Sequence, residues 1–495
     1  MKILSNIEKN KNYWILLFII IFFIILRAPS LVEPIWYGDE GIYQVIGSAM
    51  YEGRQLYKEI WDNKPPLLYI TYAIFNGSQF ATRSASLLFG VGAVISFFLL
   101  AQTLFQQIKH GIKYIPLLST CIFAFLFGTP LIEGNIANAE NFMLFPIITA
   151  ALLINDTDIF KKPKKLAFAG LLLGISMLYK VVAIFDFTAF FIFLFFFKEE
   201  RRIFSTIIKI APFVIGLVIP ILFAFLYFLT TGTFLDFYHA SFTQMASYVQ
   251  YGNSQVVRQG FLIIKLVILG SFLIGLFIKR HKFSLTSLFI FIWLIFSLFN
   301  AFFAQRPYTH YMLVLLPSFI LYSSLLFQRN TTMPTNIMLI IQKIQITIWI
   351  LILYLVTSNF NFYNKTASYY QNFISFIFFN KSVPDYQKFF DRNTPRDYEL
   401  AQFTKSHLKP KDTLFIWGNN AQVYKLTGIL PLGRFTVKYH MKANKQTMKE
   451  TEQIIIIKKP TLIIITSQED SFPFALTNYT QKFNIKGSLI YERLF

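Results

Sequence analysis

The chain has 495 residues, 55% of them hydrophobic and 14% charged, with 59 Phe and a formal net charge of +21. Ordinary soluble domains carry roughly 25% charged residues, so this composition excludes a soluble enzyme and is that of a polytopic membrane protein. The single cysteine, Cys121, excludes a disulfide framework and a Cys-based metal site, and the basic excess lacks the interleaved aromatic stripe that would point to nucleic acid.

In chain order, Lys2, Lys9 and Lys11 precede an apolar run at 13–26. It reads as a signal anchor, because it continues through residues 28–32 around one Arg27 and no small-residue cleavage site follows. Next comes 36–66, WYGDEGIYQVIGSAMYEGRQLYKEIWDNKPP, where Asp39 and Glu40 open a predicted short helix that Gly53 can end. The apolar piece at 65–75 is too short for a span, which needs about 20 residues. Pro65 and Pro66 suit a first helical turn, so an interfacial helix on the outer face is expected.

Further spans are predicted at 83–105, 114–131, 142–154, 166–179, 182–197, 210–230, 261–278, 284–303, 311–327 and 344–357, making about eleven with the first run. This order puts Lys109, His110, Lys113 and the basic clusters at 161–165, 198–202 and 279–282 in the cytoplasm. About eighteen Lys and Arg then fall inside and about seven outside, as the positive-inside rule requires. Counting 65–75 as a span would invert everything after it. The odd count leaves the N-terminus cytoplasmic and the tail outside. In the tail, TLFIW at 413–417 and TLIIIT at 461–466 read as buried strands, with helix-like stretches at 395–407 and 445–457. The expected architecture is an all-α polytopic membrane domain over 1–357, with its first outer loop at 32–82, and a small α/β extracytoplasmic domain over 358–495.

The candidate chemistry collects on the outer side. An Asp at a helix start can be a cap or, kept ionised there, a general base, and both readings stand for Asp39 and Glu40. Lys64 precedes the proline pair, and Arg83 and Lys180 sit at predicted outer ends of spans, where ionisable residues either snorkel or function. Glu140, with Glu133 nearby, adds acids, and Arg306, Tyr308 and His310 bring a guanidinium, a phenol and an imidazole into one turn that could clamp an anion. Asp186 lies within a span and has no assigned role. Carboxylates plus dispersed cations suit transfer from a lipid phosphate: an acid deprotonates the acceptor hydroxyl while cations stabilise the departing phosphate. There is no P-loop, no dinucleotide-binding glycine fingerprint and no HExxH, which counts against a soluble nucleotide-sugar donor and a zinc protease.

At DEGIY (39–43), YKEIWDNKPPL (57–67), Arg83, NAEN around Glu140, GLLLGISMLYK ending at Lys180, RPYTHY (306–311) and LFIWGNNAQVYKLTG (414–428), the chain resembles the GT-C superfamily of polytopic glycosyltransferases. The likeness is to the bacterial branch related to protein O-mannosyltransferases and the lipid A aminoarabinose transferase. It implies Asp39 as catalytic base, Glu140 as the second acid, Lys64, Arg83 and Lys180 around the donor phosphate, a polyprenyl-phosphate sugar donor, and inversion at the anomeric carbon. Beside it, the residues themselves suggest Glu40 as a further catalytic acid, Arg306 as a further phosphate ligand, and Tyr43, Tyr308 and His310 on the substrate. The acceptor would be lipid A, another envelope glycan or a protein, at the outer face of the plasma membrane. Two positions depart: Ile42 and Asn63 stand where the aminoarabinose transferases carry an Arg and an acid. That acid is implicated in holding a divalent metal, so Asn63 argues against a bound zinc despite the adjacent Asp62. A polysaccharide polymerase or ligase, with its catalytic loop between later spans such as 231–260, and a lipid-linked sugar flippase are the alternatives.

Overall fold

The computed structural model describes residues 11–105, 114–198, 203–243, 261–303, 306–327, 335–466 and 471–494. The basic residues Lys2, Lys9, Lys109, His110, Lys113 and 199–202, like most of the 231–260 loop, lie outside these. The longer helices of the first three quarters are α1 Lys11–Arg27, α2 Gly38–Tyr51, α3 Pro66–Ile74, α4 Gln79–Phe105, α5 Ile115–Gly128, α6 Ala139–Ile154, α7 Pro163–Tyr179, α8 Ile184–Phe193, α9 Ile203–Thr230, α10 Phe261–Lys279, α11 Leu285–Ala301, α12 Met312–Leu325 and α13 Thr335–Asn359. The tail adds α14 Thr366–Ile377, α15 Val383–Phe390, α16 Thr394–His407, β1 Leu414–Trp417, α17 Gln422–Thr427, α18 Lys438–Met441, α19 Lys445–Lys458, β2 Leu462–Ile465, β3 Tyr479–Ile485 and β4 Ser488–Arg493.

The chain divides into two compact units. The first, Met1–Ala28, Ala85–Leu226 and Gln244–Thr366, is helical throughout its described residues. Among the described residues, Lys11–Val32, Gln79–Phe105, Phe204–Thr230 and Leu262–Lys282 are long and apolar enough to cross a membrane. Shorter apolar helices run Ile115–Gly128, Ala139–Ile154, Val181–Phe196, Leu285–Ala301 and Thr309–Leu325. Helices α9 and α10 expose Phe223, Tyr227, Ile263 and Val267, side chains that only a lipid solvent accommodates on so wide a face. Small residues bring α7 against α9: a Cβ on Gly170 would stand 1.9 Å from the Phe213 carbonyl oxygen, and one on Gly216 the same distance from that of Ala167. Backbone contact of this kind is how helices pack where no hydrophobic force separates them from lipid.

The second unit, Pro29–Ser84, Tyr227–Thr243 and Ala367–Phe495, joins the first outer loop to the tail. The predicted strands β1 and β2 pair in parallel, Leu414 opposite Leu462, and β2 continues antiparallel to β4, which pairs with β3, for an order β1-β2-β4-β3. Phe415, Trp417, Phe435, Met441, Ile455, Ile463 and Ile465 form its core, and Trp61 of the outer loop packs on it. The Trp61 N–H donates to the Arg434 carbonyl at 2.9 Å. A boundary at 357/358 therefore severs two parts of one core. The short helix expected after Pro65 is α3, nine residues long with Pro65 as its N-cap, about 14 Å against a hydrocarbon thickness of about 30 Å. It lies tight on α2, where a Cβ on Gly47 would come within 2.7 Å of the Tyr72 backbone.

Arg83, on the first turns of α4, fixes the start of α2. Its Nε donates to Glu40 Oε1 at 2.9 Å and its Nη2 to Glu40 Oε2 at 2.5 Å. Nη1 lies 2.9 Å from Glu33 Oε2 and donates to the Ser30 carbonyl at 2.6 Å. Glu33 accepts in turn from the Tyr369 hydroxyl of α14 at 2.5 Å and from Trp36 Nε1 at 2.8 Å. All three charged side chains are buried. Replacing Arg83 with Met leaves two carboxylates without their cation, and the expected loss is about 3–5 kcal/mol of stability. Denaturation of the purified protein in detergent measures it; a loss below about 1 kcal/mol would show that the triad does not hold the fold.

Candidate functional site

One cluster of candidate residues lies within the second unit. Asp39 is not a helix cap: the N-cap of α2 is Tyr37, and no side chain caps it. Gly53, at φ +93°, follows the C-cap Glu52, as expected of a helix stop. Asp39 sits in the first turn, half-buried, and accepts from the Tyr43 hydroxyl one turn on at 3.4 Å. Burial first, and then the charges of Asp39 and Asp62, push the Tyr43 phenol well above its usual value, so it remains a donor. Lys64, also half-buried, holds its Nζ 5.9 Å from the centre of the Tyr43 ring. Asp39, Tyr43 and Lys64 thus follow one another across α2 and the loop before α3.

Two expected site residues have other partners. Glu40 and Arg83 bond each other and Arg83 also bonds Glu33, with the Tyr72 hydroxyl 3.4 Å from Glu40 Oε1. Both side chains are buried and saturated.

The backbone of Lys64 is clamped on both sides. Its N–H donates to the Tyr69 hydroxyl at 3.1 Å, and its carbonyl accepts from the Tyr57 hydroxyl at 2.7 Å. The Tyr69 hydroxyl donates to Asp62 Oδ2 at 2.7 Å, while Asp62 Oδ1 accepts the Asn63 N–H at 2.7 Å and lies 3.5 Å from His440 Nε2. Burial alone would raise the Asp62 carboxyl, but Lys64, His440 and these two hydrogen bonds hold it below the usual range. Glu33, Tyr69 and His440 have no signature in the sequence pattern; their roles come from contacts 7 to 378 residues away.

The first unit carries the other cluster. Lys180, the C-cap of α7, donates to Glu140 in the first turn of α6, and its Nζ stands 4.2 Å from the centre of the Tyr311 ring. His310 spans two acids, Nδ1 at 3.0 Å from Glu133 Oε2 and Nε2 at 3.8 Å from Glu140 Oε1, and Tyr308 stacks on its ring at 5.7 Å. Thr309 also donates to Glu133. Arg306 is half-buried just before this turn. Glu133, Glu140, Lys180 and His310 thus form one cluster in the first unit. Asp186 accepts from Trp293 Nε1 at 2.7 Å between α8 and α11, a packing role.

The resemblance implies a divalent metal, for which Asp62 and His440 are the nearest donors. Among the described residues no three His, Cys, Asp or Glu side chains converge on a point that could hold an ion. Zinc takes three or four protein ligands, and the Asp62 oxygens already accept from Tyr69 and Asn63, so the residues present do not fit a resident zinc.

His440 is buried, and that burial lowers its imidazole to about 4, against a partial opposing pull from Asp62. The ring is neutral at pH 7. Because the unfolded imidazole takes its proton near pH 6.5 and the folded one near 4, the His440 contribution is complete above pH 6.5 and is lost as pH falls toward 4. The stability difference between the wild type and His440→Gln should therefore shrink by about 3 kcal/mol at most across that window. Denaturation at a series of pH values reads it; a pH-independent difference would mean the ring titrates in the fold as it does in the unfolded chain.

Residues 64–228 match the family described as dolichyl-phosphate-mannose-protein mannosyltransferase. Lys64, Arg83, Glu140 and Lys180 fall within the matched segment. Curated protein sequences give no match. Among solved structures, ArnT from Cupriavidus metallidurans, bound to undecaprenyl phosphate, superposes with a TM-score of 0.55 at 10% identity, over 96% of this chain and 97% of that one. The archaeal oligosaccharyltransferase AglB from Archaeoglobus fulgidus, in complex with an inhibitory peptide and a dolichol-phosphate, gives a TM-score of 0.44 at 12% identity over 93% and 70%. The ArnT likeness is one of fold, and the family match covers about a third of a chain whose composition is that of a multi-pass membrane protein.

Proposed function

We infer that the protein transfers one monosaccharide from a polyprenyl-phosphate donor to an envelope acceptor at the outer face of the plasma membrane. The observation that carries this reading is the different fate of neighbouring charges in the second unit. Glu33, Glu40 and Arg83 are buried and satisfy one another, and buried Asp62 is held by Tyr69 and Asn63, whereas Asp39 and Lys64 remain half-exposed on either side of Tyr43. Charged groups that keep access to solvent are the ones a substrate can reach. The lipid donor is supported by the family match and by the undecaprenyl phosphate bound to ArnT.

In this reading Asp39 accepts the proton of the acceptor hydroxyl as its oxygen attacks the anomeric carbon. The bond from that carbon to the phosphate oxygen breaks on the opposite face, with inversion. The polyprenyl phosphate leaves with one more negative charge than it carried in the donor, and Lys64 stabilises that charge. Lys180 and Arg306 are further cations for the donor, Lys180 with its charge partly offset by Glu140. Tyr43, Tyr308 and His310 serve the substrate, Tyr43 as a donor that orients Asp39. Arg83 and Glu40 are assigned to the scaffold. Eleven spans, a cytoplasmic N-terminus and an extracytoplasmic tail complete the proposal.

Asp39→Asn should lower transfer by about 10²–10⁴-fold with thermal unfolding unchanged. The assay is mass spectrometry of envelope glycans from cells carrying the wild type, the variant or neither, which also names the sugar and the acceptor. Wild-type modification by a stably inserted Asp39→Asn protein would remove Asp39 as the base.

A further inference from the structure

We propose that His440 is a positioning residue for Lys64, tying the C-terminal α/β domain to the loop that meets the donor phosphate without a metal ion between them. The inference rests on the reading of Lys64 as a phosphate ligand, and it adds a device that a site confined to the first outer loop would not need.

The contacts form one line within the second unit. His440, on α18, places Nε2 3.5 Å from Asp62 Oδ1, and Asp62 Oδ2 takes the Tyr69 proton at 2.7 Å. With its proton committed to Asp62, the Tyr69 oxygen is left as an acceptor, and it receives the Lys64 N–H at 3.1 Å. Tyr57 donates to the Lys64 carbonyl from the other side, and Ser241 donates to Tyr57 at 3.3 Å. Lys64 is thereby held by its own peptide groups, with its ammonium directed toward Tyr43 and the Asn63 amide oxygen, which it reaches at 3.2 Å.

His440 is set in place by packing. Trp61 meets its ring edge-on at 4.9 Å and Tyr439 at 4.3 Å. Its Nδ1 is buried with no hydrogen-bond partner, a cost that the fold tolerates at this position. A neutral ring beside a carboxylate carries its proton on Nε2, because two acceptors would repel. The imidazole therefore presents its N–H to Asp62 directly. Asn63 fits the same arrangement: its backbone N–H serves Asp62 and its side-chain oxygen serves Lys64, tasks a second carboxylate would perform with an unwanted charge.

The test uses the full chain, purified in detergent and dialysed against a chelator, with decaprenyl phosphate as the probe and thermal unfolding recorded for every variant. His440→Ala should weaken binding at least about tenfold, His440→Gln should restore most of the affinity through an amide N–H, and His440→Ala in a Lys64→Ala background should cost nothing further. The chelator should leave wild-type binding unchanged. Wild-type affinity in His440→Ala, with loss in Lys64→Ala, would overturn the positioning role and leave the reading of Lys64 intact. Unchanged affinity in Lys64→Ala would remove that reading and this inference with it. Additive losses in the double variant would reduce His440 to general packing, and chelator-induced loss reversed by zinc would overturn the metal-free tie.

Discussion

One buried guanidinium constrains the rest. Arg83 is shared between Glu33 and Glu40, and Glu33 is held in turn by Tyr369 of the tail, so α2, α4, the outer loop and α14 meet at a single cluster of charges. Consecutive residues on a helix point about 100° apart. With Glu40 drawn inward to Arg83, Asp39 cannot follow, and it stays half-exposed beside Tyr43. The acidic pair thus divides into one buried and one half-exposed member, through geometry that the scaffold imposes. A buried pair of this kind need not add net stability, but breaking it does remove stability, and it fixes orientation in either case.

Much of the fold was legible in the sequence. The apolar segments announced their helices by length and composition, the proline pair announced α3, and the four-residue β-rich runs LFIW and LIII announced β1 and β2, because a strand buried on both faces is a continuous apolar run. The β3–β4 hairpin was not legible. Its first strand, YTQKFNI, is mostly exposed and shows no buried alternation, so nothing distinguishes it from a loop until β4 pairs it to the sheet. The domain boundary was also hidden: a change in composition marks where the membrane segment ends, and it does not reveal that Trp61 completes a core built from residues 415–474.

The site was legible as a set of residue types and illegible as a set of partnerships. Asp39, Lys64, Glu140, Lys180 and His310 could be named because ionisable residues at the ends of apolar segments are conspicuous. That Arg83 is buried between two glutamates, while Lys64 stays half-buried, depends on contacts across tens of residues. Both cations occupy similar sequence surroundings, and only the fold separates them. His440 lies in KYHM, a stretch with no motif, and acquires meaning solely because Asp62 faces it.

The central claim is that accessible Asp39 and Lys64 carry the chemistry while the Arg83 triad carries the fold. The most direct measurement is an experimentally determined structure of the full chain with a polyprenyl phosphate bound. The account predicts the phosphate oxygens within hydrogen-bonding distance of Lys64 Nζ, with Arg83 still closed between Glu33 and Glu40. A phosphate seated on Arg83, with the Glu40 contact opened, would contradict it.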